Sequence, residues 1–415
     1  MTPQSKNTPV GAAQSIRAER RSRTVIRNNE RRSEATLFRD DFDRDVWCLL
    51  GIPVDVTDIN GAVGTIDSAI RTGEPLSFVT PNVNWLVRAT RNPVARREIL
   101  NANLSLVDGA PLVKLARFLG VPVTSRVAGS DVFEALHRRP DFVGRKIRVF
   151  FFGGRDGAAE TAVERLNAAG GGVEAVGALN PGFGDVDSMS TPATLGAIND
   201  AEPDFIVVAL GAAKGQAWID ANREKLNAPV IAHLGAVVDF AAGSIKRAPK
   251  AFQKVGLEWL WRIKEEPSLW KRYFDDGKAL LAILFSGVLP QLGRRPNEAD
   301  SKSDVGLVEY AEQAVIKLSG CFRKDNLAEI RKVFRQAASL QTDVILDFSD
   351  VSEFDLSFLG LVLMLEKASS ANKCELSVRG IAKSHRKVLK ANNMNYRDFD
   401  KIEHQEMSPS LAAAS

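Results

Sequence analysis

Leu76-Ser77-Phe78-Val79-Thr80-Pro81-Asn82 is a short apolar run closed by two small polar residues around a proline. Its length and content predict a buried strand, and residues 83–100 after it predict a helix. The same unit recurs downstream. Residues 104–107 predict a strand ending in Asp108-Gly109, 111–119 a helix, 146–152 a strand broken by Gly153-Gly154, and 158–169 a helix with alanine and leucine on its buried face. Two more apolar strands, 205–210 and 229–234, close at Gly211 and Gly235. Order is expected to begin near Val46. Short apolar strands alternating with helices argue for an α/β domain with a mostly parallel sheet covered on both faces.

Thr80, Asp108, Gly153, Gly211 and Gly235 all fall at predicted strand C-termini. In an open parallel sheet those ends form the ligand crevice, and a helix dipole there favours a diphosphate. No GxGxxG follows the first strand and no GxxxxGK[ST] occurs, which argues against dinucleotide redox chemistry and a P-loop ATPase. Serine hydrolysis lacks its GxSxG elbow. His137, His233, His385 and His404 have no HExxH spacing and no cysteine pair beside them, so no metal site is expected. They read as structural or surface residues, with His233, at a strand end, the one that stands apart. Asp185-Val186-Asp187 has the letters of a metal-binding DxD but reads as a solvated turn.

At 415 residues the chain exceeds a single core. A net charge of +4 is small for this size and does not by itself point to nucleic acid. The excess gathers between Arg17 and Arg32, seven arginines against two glutamates, within a tail (1–44) expected to be disordered. Such arginines suit either plain solvation or an anionic surface. Cys48, Cys321 and Cys374 are few and scattered, which fits a reducing compartment. After the core domain (45–256), residues 257–289 change character: Trp259, Trp261, Trp270, Tyr273 and Phe274 mingle with Arg262, Lys264, Lys271, Arg272 and Lys278. That mixture suits either a helical appendage on an anionic membrane or aromatics packed on the main domain. A linker (290–312), a second alternating α/β domain (313–399) and a tail (400–415) follow. In the second domain, strands are expected at 314–318, 343–347 and 375–378, and helices at 326–338, 359–371 and 381–392.

Residues 50–275 resemble the WecG/TagA/CpsF family of bacterial glycosyltransferases. The matching pieces are Phe78-Val79-Thr80-Pro81-Asn82, Val107-Asp108-Gly109, Arg126 with Gly129-Ser130-Asp131, Pro181-Gly182-Phe183, Asp239-Phe240-Ala241-Ala242-Gly243, Lys246-Arg247-Ala248-Pro249 and Glu258-Trp259-Leu260-Trp261-Arg262 with Glu266-Pro267. The resemblance implies a Rossmann-like domain whose helical appendage meets the membrane and helps close the active site. It implies transfer of an N-acetylhexosamine or uronic-type sugar from a UDP-sugar to a polyprenyl-diphosphate-linked acceptor, at the cytoplasmic face of the cell membrane, with no cofactor required. It makes Asp108 the base, with Thr80 and Asn82 orienting sugar or phosphate. Arg126, Arg262 and Arg272 would face the diphosphate, and Asp131 and Gln216 would also bind substrate. For Asn82 a helix cap is the competing reading, and for each arginine a surface ion pair.

Two departures stand out. The family's Gly-x-Pro-Lys-Gln-Glu-x-Trp segment is Gly211-Ala212-Ala213-Lys214-Gly215-Gln216-Ala217-Trp218 here, so glycine replaces the glutamine. Leu269 stands where the family often has a further arginine. These departures sustain a rival reading, a catalytically weakened scaffold acting through the second domain. That domain resembles a STAS module, through Ile316-Lys317-Leu318-Ser319-Gly320, Val344-Ile345-Leu346-Asp347-Phe348 and Asp355-Leu356-Ser357-Phe358-Leu359-Gly360. The resemblance implies a protein partner and makes Ser357 a candidate phosphosite.

Overall fold

The computed structural model describes residues 40–245, 247–249, 252, 256–285 and 302–399. The arginine-rich stretch before Arg32 and the tail after Phe399 lie outside the described residues. A 3-10 turn at Asp41–Asp43 leads into a hairpin of β1 (Val46–Leu49) and β2 (Ile52–Asp55). Its two-residue loop holds Leu50 and Gly51 at φ 52° and 91°, the left-handed pair that matches the twist of paired strands. Residues 41–44, assigned to the tail from sequence, are thus ordered, with Phe42 and Arg44 buried.

Helix α1 (Ile59–Thr72) starts on Asp58, whose carboxylate accepts the Gly61 N–H. Strand β3 (Leu76–Val79) follows, then α2 (Val83–Arg91) and α3 (Pro93–Leu100). The single helix expected over 83–100 is divided because Pro93 forces Asn92 into extended backbone, φ −133° and ψ 111°. Asn92 ends one helix and caps the next by accepting the Val94 N–H. The domain continues with β4 (Leu104–Ser105), α4 (Ala110–Phe118), α5 (Gly129–Arg138), β5 (Ile147–Gly153), α6 (Ala158–Ala169) and β6 (Val173–Leu179). Its last elements are α7 (Pro192–Asp200), β7 (Phe205–Ala209), α8 (Ala212–Asn222), β8 (Val230–His233) and α9 (Gly235–Ala242).

Strands β3 to β8 form one all-parallel sheet in the order β4-β3-β8-β7-β5-β6. Both faces are covered. In β5, Ile147, Val149 and Phe151 pack into one layer and Phe150 and Phe152 into the other. Burial on both sides is why these strands read as unbroken apolar runs. On leaving β3 the chain enters α2, whose Trp85 and Leu86 lie in the layer opposite the one holding Val237 and Val238 of α9, the helix after β8. Since β3 and β8 are neighbours, the chain departs from these two ends toward opposite faces, and a crevice opens between them.

Helices α10 (Glu258–Glu265) and α11 (Trp270–Ile283) follow, joined by a 3-10 turn at Pro267–Leu269. The Asn84 amide donates to Asp276 at 3.1 Å and so ties α11 to α2. The outer surface of the pair exposes Trp259, Leu260, Trp270, Phe274, Leu281 and Phe285. Among the described residues, no helix is long and apolar enough to cross a membrane.

The second domain is a five-stranded sheet with three helices. It comprises β9 (Ser303–Glu309), β10 (Gln313–Phe322), α12 (Ala328–Ser339), β11 (Asp343–Phe354), α13 (Leu356–Ala371), β12 (Leu376–Arg379), α14 (Lys383–Ala391) and β13 (Arg397–Asp398), in the order β13-β12-β11-β10-β9. Strand β9 occupies part of the stretch read as linker. It is an antiparallel edge strand of mixed polarity, with no fully buried residue to signal it.

Helix α13 is covered on two sides. One side is its own sheet; the other is β1, with Val46 and Cys48 in the same core as Phe358, Leu359 and Val362. The backbones approach so closely that a Cβ on Gly360 would lie 2.1 Å from the Val46 carbonyl oxygen. Around this contact the Arg96 guanidinium grips Glu366 (2.8 Å for one arm), Tyr396 donates to the same carboxylate at 2.8 Å, and Lys367 meets Asp41 at 2.7 Å. Gly360→Val is therefore expected to lower stability by about 1–3 kcal/mol. Gly64→Ala, at an exposed site in α1 where an added Cβ meets nothing within 4 Å, should raise it by about 0.5–1 kcal/mol. Urea unfolding of the full-length variants measures both, and an undiminished Gly360→Val chain would mean that α13 does not rest on β1.

Candidate functional site

The β4 strand runs on as Leu106 and Val107, both buried. Leu106 donates its N–H to Val79 at 2.9 Å, and Val107 accepts that of Val127 at 2.8 Å. These bonds set Asp108 at the strand end between the Pro81 loop, whose carbonyl takes the Asp108 N–H at 2.9 Å, and the segment carrying Arg126. Gly129 opens α5 against the ends of β3 and β8. A Cβ there would meet Leu234 at 2.2 Å and the Thr80 methyl at 3.3 Å. Thr80 and Asp131 are thereby drawn to the same corner. Asn82 accepts the Trp85 N–H at 3.3 Å as the cap of α2, so the capping reading holds, and its Cβ faces Gly109.

Arg126 is the hub of this corner. Its guanidinium lies 3.7 Å from Asp108, 2.5 Å from Asp131, and in contact with Glu258 at the start of α10. Arg247 shares Asp131 and donates to the Ser130 hydroxyl at 3.0 Å. Three carboxylates thus face two arginines. Burial raises the Asp108 pKa to about 7; Arg126 opposes the rise, and Glu258 and Asp131 add to it. About a quarter of the Asp108 side chain remains accessible. A carboxyl group that is open to a ligand and half-ionised near neutral pH can accept a proton from a bound hydroxyl.

A second ionic set ties the appendage to the strand ends. Arg155, just past β5, reaches Glu266 at 2.5 Å and Asp239 at 3.9 Å, and Arg262 reaches Glu266 at 3.3 Å. The remaining predicted residues lie apart. Arg272 is exposed and stacks on the Tyr273 ring at 5.3 Å. Gln216 is buried on α8, and its amide donates to Asp220 at 3.2 Å, so it joins the packing behind the crevice and not the Asp108 cluster. One residue along a helix turns a side chain by about 100°, which separates position 216 from position 215. Ser357 sits at the start of α13, buried, its hydroxyl donating to the Asp355 cap at 2.5 Å. Asp185 forms a turn, accepting the Ser188 N–H at 2.8 Å.

Glu258, Arg247, Asp239 and Arg155 hold the site together, yet sequence reasoning gave them no role. Three of them lie in quoted motifs. Arg155 had only its place after Gly153-Gly154 to signal it. Among the described residues, no group of three or more His, Cys, Asp or Glu side chains could hold a metal ion.

Comparison with known proteins gives two family matches: "Glycosyl transferase WecG/TagA/CpsF family" over residues 47–292 and "Mlab, STAS domain" over residues 305–396. An N-acetylglucosaminyldiphosphoundecaprenol N-acetyl-beta-D-mannosaminyltransferase of Bacillus spizizenii is 30% identical over 207 residues, 50% of this chain and 78% of that protein. The protein of the same description from Bacillus subtilis is 26% identical over 215 residues, 52% of this chain and 80% of its own. Among solved structures, the unphosphorylated anti-sigma factor antagonist SpoIIAA matches 25% of this chain and 99% of its own, at 21% identity and a TM-score of 0.21.

The raised Asp108 pKa has a consequence for stability. Its folded value, about 7, lies above the ordinary carboxylate range. The folded state therefore loses stability as pH climbs from about 4 to about 7. Asp108→Asn should melt at a higher temperature than wild type at pH 7.5, and the gap should close as pH falls toward 4. Thermal melts across that range check the sign.

Proposed function

Because the chain belongs to the WecG/TagA/CpsF family of glycosyltransferases, we propose that it moves an N-acetylhexosamine or uronic-type sugar from a UDP-sugar to a polyprenyl-diphosphate-linked acceptor in the synthesis of a cell-surface polymer. The observation that carries the reading is Asp108, a partly open carboxyl group with a pKa near 7 at the ends of parallel strands. The two Bacillus relatives, by their description, act on a sugar diphosphate of undecaprenol.

In this mechanism Asp108 takes the proton of the acceptor hydroxyl. The freed oxygen bonds to the anomeric carbon of the donor, and the bond from that carbon to the diphosphate oxygen breaks with its electron pair leaving on UDP. Asp108 acts as base only when ionised, and its pKa lets it both accept and release the proton near neutrality. Arg126, held by Asp131 and Glu258, keeps Asp108 from rising further and so sets its working range. Charge on departing UDP is met by Arg262 once Glu266 yields it. Thr80 and Asn82 line the strand-end loop where the sugar sits.

The exposed tryptophans and phenylalanines of α10 and α11, with Lys271, Arg272 and Lys278 among them, seat the protein on an anionic membrane surface at the cytoplasmic face. That places the crevice beside a lipid-anchored acceptor. A protein partner would meet the STAS domain away from the α13 face that β1 already covers.

Two measurements test this. With a UDP-sugar and a short-chain prenyl-diphosphate sugar, kcat/KM for UDP release should rise with pH along an acid limb centred near 7, and Asp108→Asn should lower kcat by about 10²–10⁴-fold. If wild type and variant show the same background across a broad donor and acceptor panel, the scaffold reading replaces this one. In flotation with anionic vesicles, Trp270→Ala combined with Phe274→Ala should shift the protein from the lipid fraction to the soluble one. Equal flotation would place attachment elsewhere.

A further inference from the structure

His233 is the last residue of β8, the strand whose end borders the crevice. Its imidazole is wedged between two helices on the same side of the sheet. The Trp85 indole of α2 packs against it at 6.5 Å between centroids, tilted by 48°. On the other side lies the first turn of α8, where the chain has Gly215. A Cβ on Gly215 would lie 2.2 Å from the His233 Cδ2 and 3.0 Å from its Nε2. No side chain fits at position 215 while the imidazole holds this place.

The Nε2 atom is buried and, among the described residues, has no hydrogen-bond partner. A buried polar atom left unpaired costs stability, and each one calls for an explanation, of which a bound ligand atom is one. Both Gly215 and Gly235 flank this nitrogen; a Cβ on Gly235 would stand 3.7 Å from it. It is thus bordered by glycine backbone at the opening turns of the helices that follow β7 and β8. Burial, with Arg88 nearby, lowers the His233 pKa to about 4, so the ring is neutral at physiological pH and offers one N–H or one lone pair.

Strand order fixes the place of this group relative to the chemistry. Asp108 follows β4, Thr80 follows β3 and His233 ends β8, and these three strands are adjacent in that order. With neighbouring strands about 4.8 Å apart, His233 stands about 10 Å along the sheet from the base. A donor whose anomeric carbon is near Asp108 can lay either its sugar ring or its diphosphate over that span.

We propose that His233 is a positioning residue for the donor. Its unpaired imidazole nitrogen hydrogen-bonds an oxygen of the sugar or of the adjoining diphosphate, and Gly215 is the vacancy that lets the ring stand there. This rests on the glycosyltransferase reading above. It assigns a physical reason to the glycine at position 215, where a Cβ would strike the imidazole. The ring acts on binding and orientation, while proton transfer belongs to Asp108.

The test is a cycle of full-length proteins: wild type, His233→Ala, Gly215→Ala and the double variant. Titration calorimetry uses UDP and a panel of UDP-N-acetylhexosamines, and thermal melts run in parallel. His233→Ala should weaken UDP-sugar binding about tenfold, the effect of losing one hydrogen bond at a binding site. Gly215→Ala should do the same by displacing the ring. The double variant should be no worse than His233→Ala alone, because with the ring gone the methyl group has room. Loss confined to UDP-sugars assigns the contact to the sugar, and loss shared with UDP assigns it to the diphosphate. In turnover, KM for the donor should rise with kcat within about threefold. Lowered melting temperatures with unchanged donor affinity would overturn the proposal and leave His233 a packing residue, without touching the family reading. A wild-type chain that binds neither UDP nor any UDP-sugar would overturn the donor reading and this proposal together.

Discussion

The guanidinium of Arg126 is the point at which three separated parts of the chain meet. Asp108 comes from the end of β4, Asp131 from the first turn of α5, and Glu258 from the first turn of α10. Take the arginine away and, among the described residues, three partly buried carboxylates would be left with Arg247, which pairs with Asp131 alone. Like charges so placed cannot all stay ionised at neutral pH. The same contact does two jobs: it holds the appendage against the sheet and sets how readily Asp108 takes a proton. The assembly of this corner and the tuning of the Asp108 carboxyl are one electrostatic event, so anything that lifts α10 from the sheet also removes a negative charge from the neighbourhood of Asp108.

Much of this was visible in the sequence because the sheet is buried on both faces. Such strands must be apolar at every position, and β3, β5, β7 and β8 announce themselves within a residue or two of their ends. The strands end at marked residues, so Thr80, Asp108 and His233 could be placed at strand ends from sequence alone. What escaped is what breaks this rule. Strand β6 has one neighbour only, β5, and several positions that are just partly covered. Strand β9 is an edge strand of the second domain with no fully buried residue. The β1–β2 hairpin is apolar but too short for periodicity to speak. Its meaning lies in what covers it, more than 300 residues away in sequence.

The site was legible in its members and illegible in its pairings. Arg126 was expected to face a diphosphate. In the structure it pairs with three carboxylates, a geometry no spacing rule contains, since Glu258 lies 132 residues away. Gln216 was placed one residue from a glycine on a helix whose orientation the sequence did not reveal, and that rotation sends its amide into the packing toward Asp220. In each case residue type was a fair guide to chemistry. Long-range partners decided which chemistry was available.

The bed that β1 provides for α13 bears on how the chain is made. A polypeptide leaves the ribosome from its N-terminus, so Val46 emerges long before Gly360, the glycine its carbonyl packs against. At about 5–20 residues per second, that gap lasts about 15–60 s. Throughout it the side of the hairpin that carries Val46 and Cys48 lacks the helix that covers it, although the six-stranded sheet can already close. The C-terminal domain is therefore the last piece of the first domain's own core to arrive. A nascent chain halted before it would leave an adhesive strip at its oldest end, the kind of surface that holdase chaperones bind.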